Sequence, residues 1–257
     1  MTALLLAAEP TNVWQWLADS STRQITGPIP QNLWTTLWHA LAAGAIAVAV
    51  AVPLAVVLAH FRRAEVVSAW LVNLGRIIPT LTVLAVAVVI SLRNGYGFEP
   101  WPIVFALTLL AVPPVFANTY TAVRQASPDA VSSARAMGLT EIQIMTRVEL
   151  PLALPLVLTG VRVALTQLVA TEALGAQFGG DGLGLYIRYG FAGQDLYQIQ
   201  AGALLVAGTA MLVDLAMWAV ARVAVPKGIR TPRSGRRADV AVTAAPRSTG
   251  RPEPAVS

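Results

Sequence analysis

Charged side chains inside otherwise apolar stretches are the first candidates for function in this chain. Arg162 and Asp214 each interrupt a different long apolar run. If these runs cross a bilayer, an unpaired charge is costly there, so such residues find a partner or line water. Counted from the ends of the runs near Pro151 and Arg222 at 1.5 Å per residue, both residues lie about 12 to 17 Å deep. The matching depths predict an ion pair, for which Arg76, at a similar depth in another run, is a rival partner of Asp214.

Neutral polar residues and one further carboxylate form a second group, mostly along the same apolar run as Arg162. Polar side chains at membrane depth generally face a cavity or a neighbouring helix rather than lipid. The group is therefore interpreted either as the lining of a route for a polar solute or as a packed polar seam between helices. With the charged residues, the candidate intramembrane set is Arg76, Asn118, Arg162, Thr166, Gln167, Thr171, Glu172 and Asp214.

These polar groups lack the arrangements that catalysis requires. They contain no nucleophile beside a base, no pair of carboxylates on one helix and no set of metal ligands. The chain has no cysteine, which excludes thiolate metal sites and thiol nucleophiles. His39 and His60 flank one apolar run, too far apart to share a metal, and are interpreted as interfacial residues. We therefore expect a protein that is not an enzyme and that has no cofactor or metal of its own.

The composition predicts that the elements carrying these residues are transmembrane helices. Of the 257 residues, 56% are hydrophobic and 12% are charged, whereas a soluble domain carries about 25% charged residues. Residues 41–59 contain no charged, amide or hydroxyl side chain, and a spanning helix needs about 20 predominantly apolar residues. An open strand cannot satisfy its backbone in lipid, and this run is too long for one barrel strand. The fold is predicted to be an all-α integral membrane protein.

Five apolar blocks are predicted to cross the membrane, and their polar connections predict the orientation. Basic residues follow the first span, lie between the third and fourth spans, and follow the fifth, whereas the opposite side carries only Arg23, Arg93 and Arg188. The positive-inside bias places the amino terminus outside the cell and the carboxyl terminus in the cytoplasm. The predicted spans are about residues 33–59, 66–92, 103–123, 152–175 and 199–221.

The segments beside the spans divide the chain into an outer segment, a membrane domain and a tail. Residues 31–222 form the predicted membrane domain. Residues 223–257 are rich in Arg, Pro, Ser and Ala and lack any aromatic residue, so we expect a disordered cytoplasmic tail that touches anionic lipid rather than nucleic acid. Residues 1–30 form the outer segment, and five tryptophans on that side are predicted to lie at the headgroup level: Trp14, Trp16, Trp34, Trp38 and Trp101.

A polar insert at about residues 124–151 separates the third and fourth spans and begins with signals for a short helix. Ser127 is suited to cap that helix, Pro128 to its first position, and Asp129 to the positive end of the helix dipole. Gly138 provides a left-handed stop, because glycine adopts positive φ without steric cost. A first insert helix is therefore predicted to end in a sharp corner at this glycine.

The residues after the corner predict a second insert helix. Thr140 and Gln143 have the spacing of a capping box, and Leu139 and Ile144 occupy the positions of a hydrophobic staple. This helix is predicted to end near Pro151. On these signals alone, the helix pair is interpreted either as a docking site for another surface or as a loop lying on the bilayer.

The insert resembles the EAA motif of ATP-binding-cassette importer permeases, a helix pair that docks into a cleft on the ATPase subunit. The family pattern is Glu-Ala-Ala, three residues, Gly, and farther on an apolar residue followed by Leu-Pro. Ala134, Gly138, Leu150 and Pro151 match it, and the distance from glycine to proline fits. The resemblance implies a docking set that also includes neighbouring residues: Asp129, Ser132, Ser133, Ala134, Arg135, Gly138, Leu139, Thr140, Leu150 and Pro151.

One expected carboxylate of the motif is missing. Ser132 and Ser133 stand where the family has Glu and Ala, which removes one polar contact with the ATPase. Asp129 lies about one helical turn earlier and is the candidate replacement.

Three longer stretches look like the permease subgroup that imports glycine betaine, carnitine, choline and related osmoprotectants. They are "NTYTAVRQ", "ARAMGLTEIQIMTRVELPLALPLVLTGVRVAL" and "GGDGLG", within a similarity that covers most of residues 33–221. The resemblance implies two permease subunits, alike or related, two ATPase subunits that bind ATP and Mg, and an extracytoplasmic solute-binding protein. "GGDGLG" lacks the Gly-Lys-Ser/Thr ending of a phosphate loop and is interpreted as the turn between spans four and five. Alternatives are a permease for another small polar solute such as an amino acid, a membrane enzyme or a channel.

Overall fold

The chain folds into a bundle of long helices, with shorter helices at both ends of the bundle. The computed structural model describes residues 12–19, 26–61, 79–98 and 100–225, and within these ranges all regular structure is helical. The helices are α1 (Val13–Ala18), α2 (Ile29–His60), α3 (Thr80–Arg93), α4 (Trp101–Arg124), α5 (Pro128–Ala136), α6 (Glu141–Ile144), α7 (Leu150–Glu172), α8 (Gly184–Gly193) and α9 (Leu196–Ala224).

Four helices in the described part of the chain are long and apolar enough to cross a membrane. They are α2, α4, a continuous helix over Glu141–Glu172 that includes α6 and α7, and α9. They confirm the first, third, fourth and fifth predicted spans. The second predicted span is represented by the 14 residues of α3, because its first part, including Arg76, lies outside the described residues.

The core of the bundle lies where α2 packs against α4 and α7. Ala43, Ala47, Ala51 and Ala55 are fully buried and recur every fourth residue, so they form one face of α2. Small side chains let helix backbones approach closely in a membrane bundle. The approach is tight at Gly44, where an added Cβ would lie 2.5 Å from Leu165 Cδ2. The alanine-rich sequence of the first span is therefore a packing surface as well as a hydrophobic run.

The insert forms the predicted helix, corner and helix at one end of the bundle. Gly138 has φ +85° and follows Met137, the C-cap residue of α5, as the left-handed stop requires. Both bonds of the capping box are present: Thr140 N–H donates to Gln143 Oε1, and Gln143 N–H donates to Thr140 Oγ1. Ser127 occupies the N-cap position of α5 without a side-chain cap bond.

The prediction that the second insert helix ends near Pro151 is wrong. Helix α6 passes through a π-helical turn, Met145–Glu149, and continues as α7 without a break. A proline has no N–H donor and clashes with the carbonyl one turn before it in a regular helix. Here Pro151 lies at the first positions of α7, directly after the π turn has shifted the hydrogen-bond pattern. The π turn accommodates the proline, so one continuous helix extends from the insert into the span.

One predicted interfacial tryptophan instead belongs to the core. Trp16 in α1 is 1% exposed and makes an edge-to-face contact with the Tyr186 ring of α8, with centroids 5.6 Å apart. The contact exists because α1 folds back on the bundle, which spacing along the sequence does not reveal. The side chains of Trp14, Trp34, Trp38 and Trp101 are exposed, as a headgroup location requires.

The "GGDGLG" stretch lies at the bundle end opposite the insert. Gly179 and Gly182 have φ +91° and +101°, so the loop turns through backbone conformations that favour glycine. The loop leads into α8, which the sequence did not predict, before α9 begins. The compact unit that contains these helices ends at Val225.

Candidate functional site

The predicted pair of intramembrane charges is present in the structure. Arg162 Nε donates to Asp214 Oδ1 at 2.5 Å, and Arg162 Nη2 donates to Asp214 Oδ2. The two parallel bonds join α7 to α9. The side chains are 35% and 38% exposed, so the pair lies at the edge of the bundle and not in its core. A bidentate arginine–carboxylate pair is a strong and directional contact.

Thr166 extends this pair by one turn of α7. Its hydroxyl donates to the Arg162 carbonyl oxygen at 3.0 Å and lies 3.5 Å from Asp214 Oδ1. Asn118 is elsewhere: its amide donates to the Pro114 carbonyl within α4. Asn118 also packs against Gly160 so closely that a Cβ there would lie 2.6 Å from Asn118 Cβ. The polar residues of the sequence set therefore do not form one continuous row.

Glu172 lies in a separate, closed cluster at the bundle end opposite the insert. Thr36 Oγ1 donates to Glu172 Oε2 at 2.7 Å, and His39 Nδ1 lies 3.1 Å from Glu172 Oε1. The Leu183 N–H donates to the same Thr36 oxygen at 2.9 Å, which ties the glycine-rich loop to the cluster. Glu172 is 1% exposed. For this carboxylate, the structure favours the packed polar seam over the lining of a route.

The remaining residues of the set are less constrained. Gln167 is exposed on α7, and Thr171 is half-buried beside a small cavity that Thr80 and Ile103 also line. Their part in a solute route stays a prediction.

The partners of His39 and His60 were not predicted from the sequence. Both residues were interpreted as interfacial; in the structure both side chains are buried and each contacts a glutamate. Their partners Glu172 and Glu149 are 133 and 89 residues away along the chain. Spacing within one helix cannot reveal such pairs. The signal in the sequence was that the two histidines flank one apolar run.

A four-residue charge network, which we call the His60 clamp, joins the end of α2 to the insert. His60 Nδ1 lies 2.8 Å from Glu149 Oε2, and His60 Nε2 lies 2.9 Å from Glu141 Oε2. Arg135 donates to both oxygens of Glu141 at 2.9 Å. The hydrogen bond from Arg135 holds the pKa of Glu141 below its ordinary value. The clamp borders a cavity of about 570 Å³ between the insert and the ends of α2 and α4.

The predicted docking residues divide into exposed and internal groups. Asp129, Ser132, Ser133, Gly138 and Thr140 are exposed on the surface of the insert. Ala134 is buried, and Leu139, Leu150 and Pro151 are half-buried. The guanidinium of Arg135 is held by Glu141 within the insert. Docking itself stays a prediction for all ten residues.

The long apolar helices, the corner insert and the charge pair between spans define a multi-pass membrane protein of the transport class. Residues 51–227 match the sequence profile of the binding-protein-dependent transport system inner membrane component. The match covers more than half of the chain, and the protein belongs to this family.

Curated relatives of the chain are permease subunits. It is 32% identical over 153 residues to the osmoprotectant import permease protein OsmW of Salmonella typhimurium strain LT2, covering 60% of this chain and 71% of that protein. It is 35% identical over 162 residues to the choline transport system permease protein OpuBD of Bacillus subtilis strain 168, covering 63% and 70%. It is 32% identical over 164 residues to the carnitine transport permease protein OpuCD of Listeria monocytogenes, covering 63% and 73%.

Solved structures share the fold. An inward-facing conformation of the MetNI methionine ABC transporter matches with a TM-score of 0.68 and 24% identity, covering 77% of this chain and 96% of that chain. An amino acid ABC transporter crystallised with histidines matches with a TM-score of 0.56 and 17% identity, covering 76% and 91%. At these identities the matches support the bundle architecture and carry no information on the solute.

Proposed function

We propose that this chain is the permease subunit of an ATP-driven, binding-protein-dependent importer of osmoprotectants such as glycine betaine, carnitine or choline. The observation that carries the proposal is the glycine corner between α5 and α6, with Gly138 at φ +85° and an intact capping box beside it. The corner is an exposed projection from a membrane bundle. The names of the relatives support small quaternary ammonium compounds as the solute class.

In this proposal the insert lies in the cytoplasm and docks to an ABC ATPase, which binds ATP and Mg and performs the hydrolysis. A second permease subunit, alike or related, completes the path, and an extracytoplasmic binding protein delivers the solute. The amino terminus lies outside and the carboxyl terminus inside, because basic residues concentrate at the insert and after α9. The ligand of the cognate binding protein, identified by mass spectrometry, distinguishes quaternary ammonium compounds from amino acids.

Substitution of Gly138 tests the docking step. A residue with a Cβ in the left-handed conformation is penalised by about 1 to 2 kcal/mol, and a bulky side chain would also project from the tip of the corner. No atom of the chain lies within 4 Å of that Cβ position. We expect Gly138→Val to insert and fold but to copurify with less ATPase and to lose stimulated hydrolysis.

Gly95→Val is the matched control for this experiment. Gly95 has φ +77° and also has open space around its Cβ position, but it lies at the other end of the bundle. The control carries a similar backbone strain without touching the insert. Normal ATPase association and normal transport by Gly138→Val would contradict the docking assignment, as would an equal loss in Gly95→Val.

Cysteine accessibility tests the solute route. The natural chain has no cysteine, so single cysteines at Thr166 and Thr171 report without background. We expect Thr166→Cys, beside the half-exposed Arg162–Asp214 pair, to react with small water-soluble thiol reagents in at least one nucleotide state of the importer. Ala43→Cys in the core and Gln194→Cys on the surface serve as unreactive and reactive references. If both test positions stay unreactive in every state, the solute passes elsewhere.

A further inference from the structure

His60 occupies a position that neither the family assignment nor the docking motif explains. It is the last residue of α2, and its side chain is only 4% exposed. Its two ring nitrogens face carboxylates from two different places: Glu141 at the start of α6 and Glu149 at the end of the π turn. One side chain therefore bridges a predicted transmembrane helix and both ends of the segment that leads out of the insert.

The contacts of the ring engage both of its nitrogens. Nδ1 lies 2.8 Å from Glu149 Oε2 and Nε2 lies 2.9 Å from Glu141 Oε2, so the two carboxylates contact opposite edges of the imidazole. The side chain of Glu149 is only 8% exposed, so removal of His60 would deprive a buried carboxyl group of this hydrogen-bond partner. A buried polar group that loses its partner is costly.

The clamp acts at the point where the insert and the span meet. The π turn Met145–Glu149 joins α6 to α7, and π turns often mark functional positions in helices. Glu149 is the last residue of this turn, and the His60 ring at the end of α2 contacts it. An apolar cluster, including Val56 and Ala59 of α2 and Ala153 of α7, packs beside it. The packing sets the spacing of the helices, whereas the bridge through His60 connects α2 directly to the insert.

We propose that His60 is a positioning residue that fixes the insert to α2, so that movement of the insert is delivered to the membrane helices. The proposal rests on the proposed function, because it assigns the source of the movement to an ATPase docked at the Gly138 corner. His60 does not touch the ATPase or the solute; it acts through Glu141 and Glu149. It connects the root of the insert to a span, whereas Gly138 lies at its tip.

The first experiment needs no ATPase. Spin labels are attached to cysteines at Met137, exposed next to the corner, and at Leu54, exposed on α2, in the full chain in lipid nanodiscs. We expect His60→Gln and Glu149→Gln to broaden the distribution of distances between the labels relative to the unsubstituted chain. His60→Arg, which supplies several hydrogen-bond donors for the two carboxyl groups, is expected to restore part of the narrow distribution.

Phe61→Ala is the matched control. Its ring makes an edge-to-face contact with His60 at 5.1 Å, so the control removes a neighbour at the same helix end without removing a clamp hydrogen bond. We expect the control to leave the distance distribution narrow. If the distribution stays narrow in His60→Gln and in Glu149→Gln as well, or broadens equally in Phe61→Ala, His60 does not hold the insert and the proposal is wrong.

The second experiment measures coupling in the importer assembled with its ATPase and binding protein. We expect His60→Gln to keep ATPase association and basal hydrolysis but to lower the stimulation of hydrolysis by loaded binding protein about five- to tenfold, within the usual range of coupling between sites. Part of the stimulation should return in His60→Arg. A broadened distance distribution with unchanged stimulation would show that the clamp orders the insert without transmitting movement, which overturns the proposal. Failure of the unsubstituted chain to associate with any ATPase would instead refute the proposed function, while the label experiment still decides whether the clamp exists.

Discussion

Gly182→Ala is expected to lower the yield of folded protein sharply, although it adds a single methyl group. Gly182 has φ +101°, and its added Cβ would lie 2.7 Å from both Glu172 Oε1 and Thr36 Oγ1. The backbone conformation alone penalises a residue with a Cβ by about 1 to 2 kcal/mol. Displacing the buried oxygens from their hydrogen bonds costs about 1 to 3 kcal/mol more. The closed Glu172 cluster therefore leaves no room for a methyl group at Gly182.

Gly95→Ala separates the two causes, because Gly95 has φ +77° with nothing within 4 Å of its Cβ position. We expect Gly95→Ala to lose only the stability that corresponds to the backbone penalty. The measurement is the midpoint of thermal aggregation of the detergent-purified chain, with the yield of monodisperse protein alongside. Equal losses for the two variants would mean that the Glu172 cluster does not restrict the loop.

Breaking the Arg162–Asp214 pair is expected to produce the second large effect. A stranded charge at membrane depth costs about 2.5 to 3.5 kcal/mol on insertion scales. Because both side chains are more than a third exposed in the single chain, we expect each single variant to cause a partial loss. Asp214→Asn and Arg162→Gln should each lower folded yield or transport. The double variant should recover part of the loss, because neither charge remains unpaired.

The measurement is a double-mutant cycle on folded yield in membranes and on solute uptake by cells. Thr166→Val serves as a milder neighbour, since it removes a hydroxyl near Asp214 Oδ1 but leaves both bonds of the pair. Additive losses without recovery in the double variant would argue against a pairwise interaction. Arg76, outside the described residues, would then be the partner to test next.

The parts of the structure that the sequence predicted depend on local rules or on depth in the membrane. The glycine stop at Gly138 and the capping box of Thr140 and Gln143 are short-range patterns whose hydrogen bonds form within a few residues. The Arg162–Asp214 pair could be predicted over 52 residues because charges are rare in apolar runs and their depths matched. In each case, few alternative partners were available.

The parts that the sequence missed depend on how helices pack in three dimensions. The contact of Trp16 with Tyr186 and the pairing of two histidines with glutamates are long-range contacts that no periodicity encodes. The continuation of the insert helix through Pro151 depended on a π turn, which has no simple sequence signature. Residue type correctly indicated a polar interaction at Glu172 but not whether it faces water or protein.

The two histidine–glutamate contacts have a mechanical consequence when taken together. Both histidines lie on α2, 21 residues apart, and their buried partners Glu149 and Glu172 lie 23 residues apart on the helix that runs back beside it. At 1.5 Å per residue these separations are about 32 and 34 Å. The two helices are therefore connected by a histidine–glutamate contact near each end. If one helix slid along the other, at least one of these contacts would break. We therefore expect α2 and α7 to move together as a rigid body during transport, and sliding between helices to occur elsewhere in the bundle.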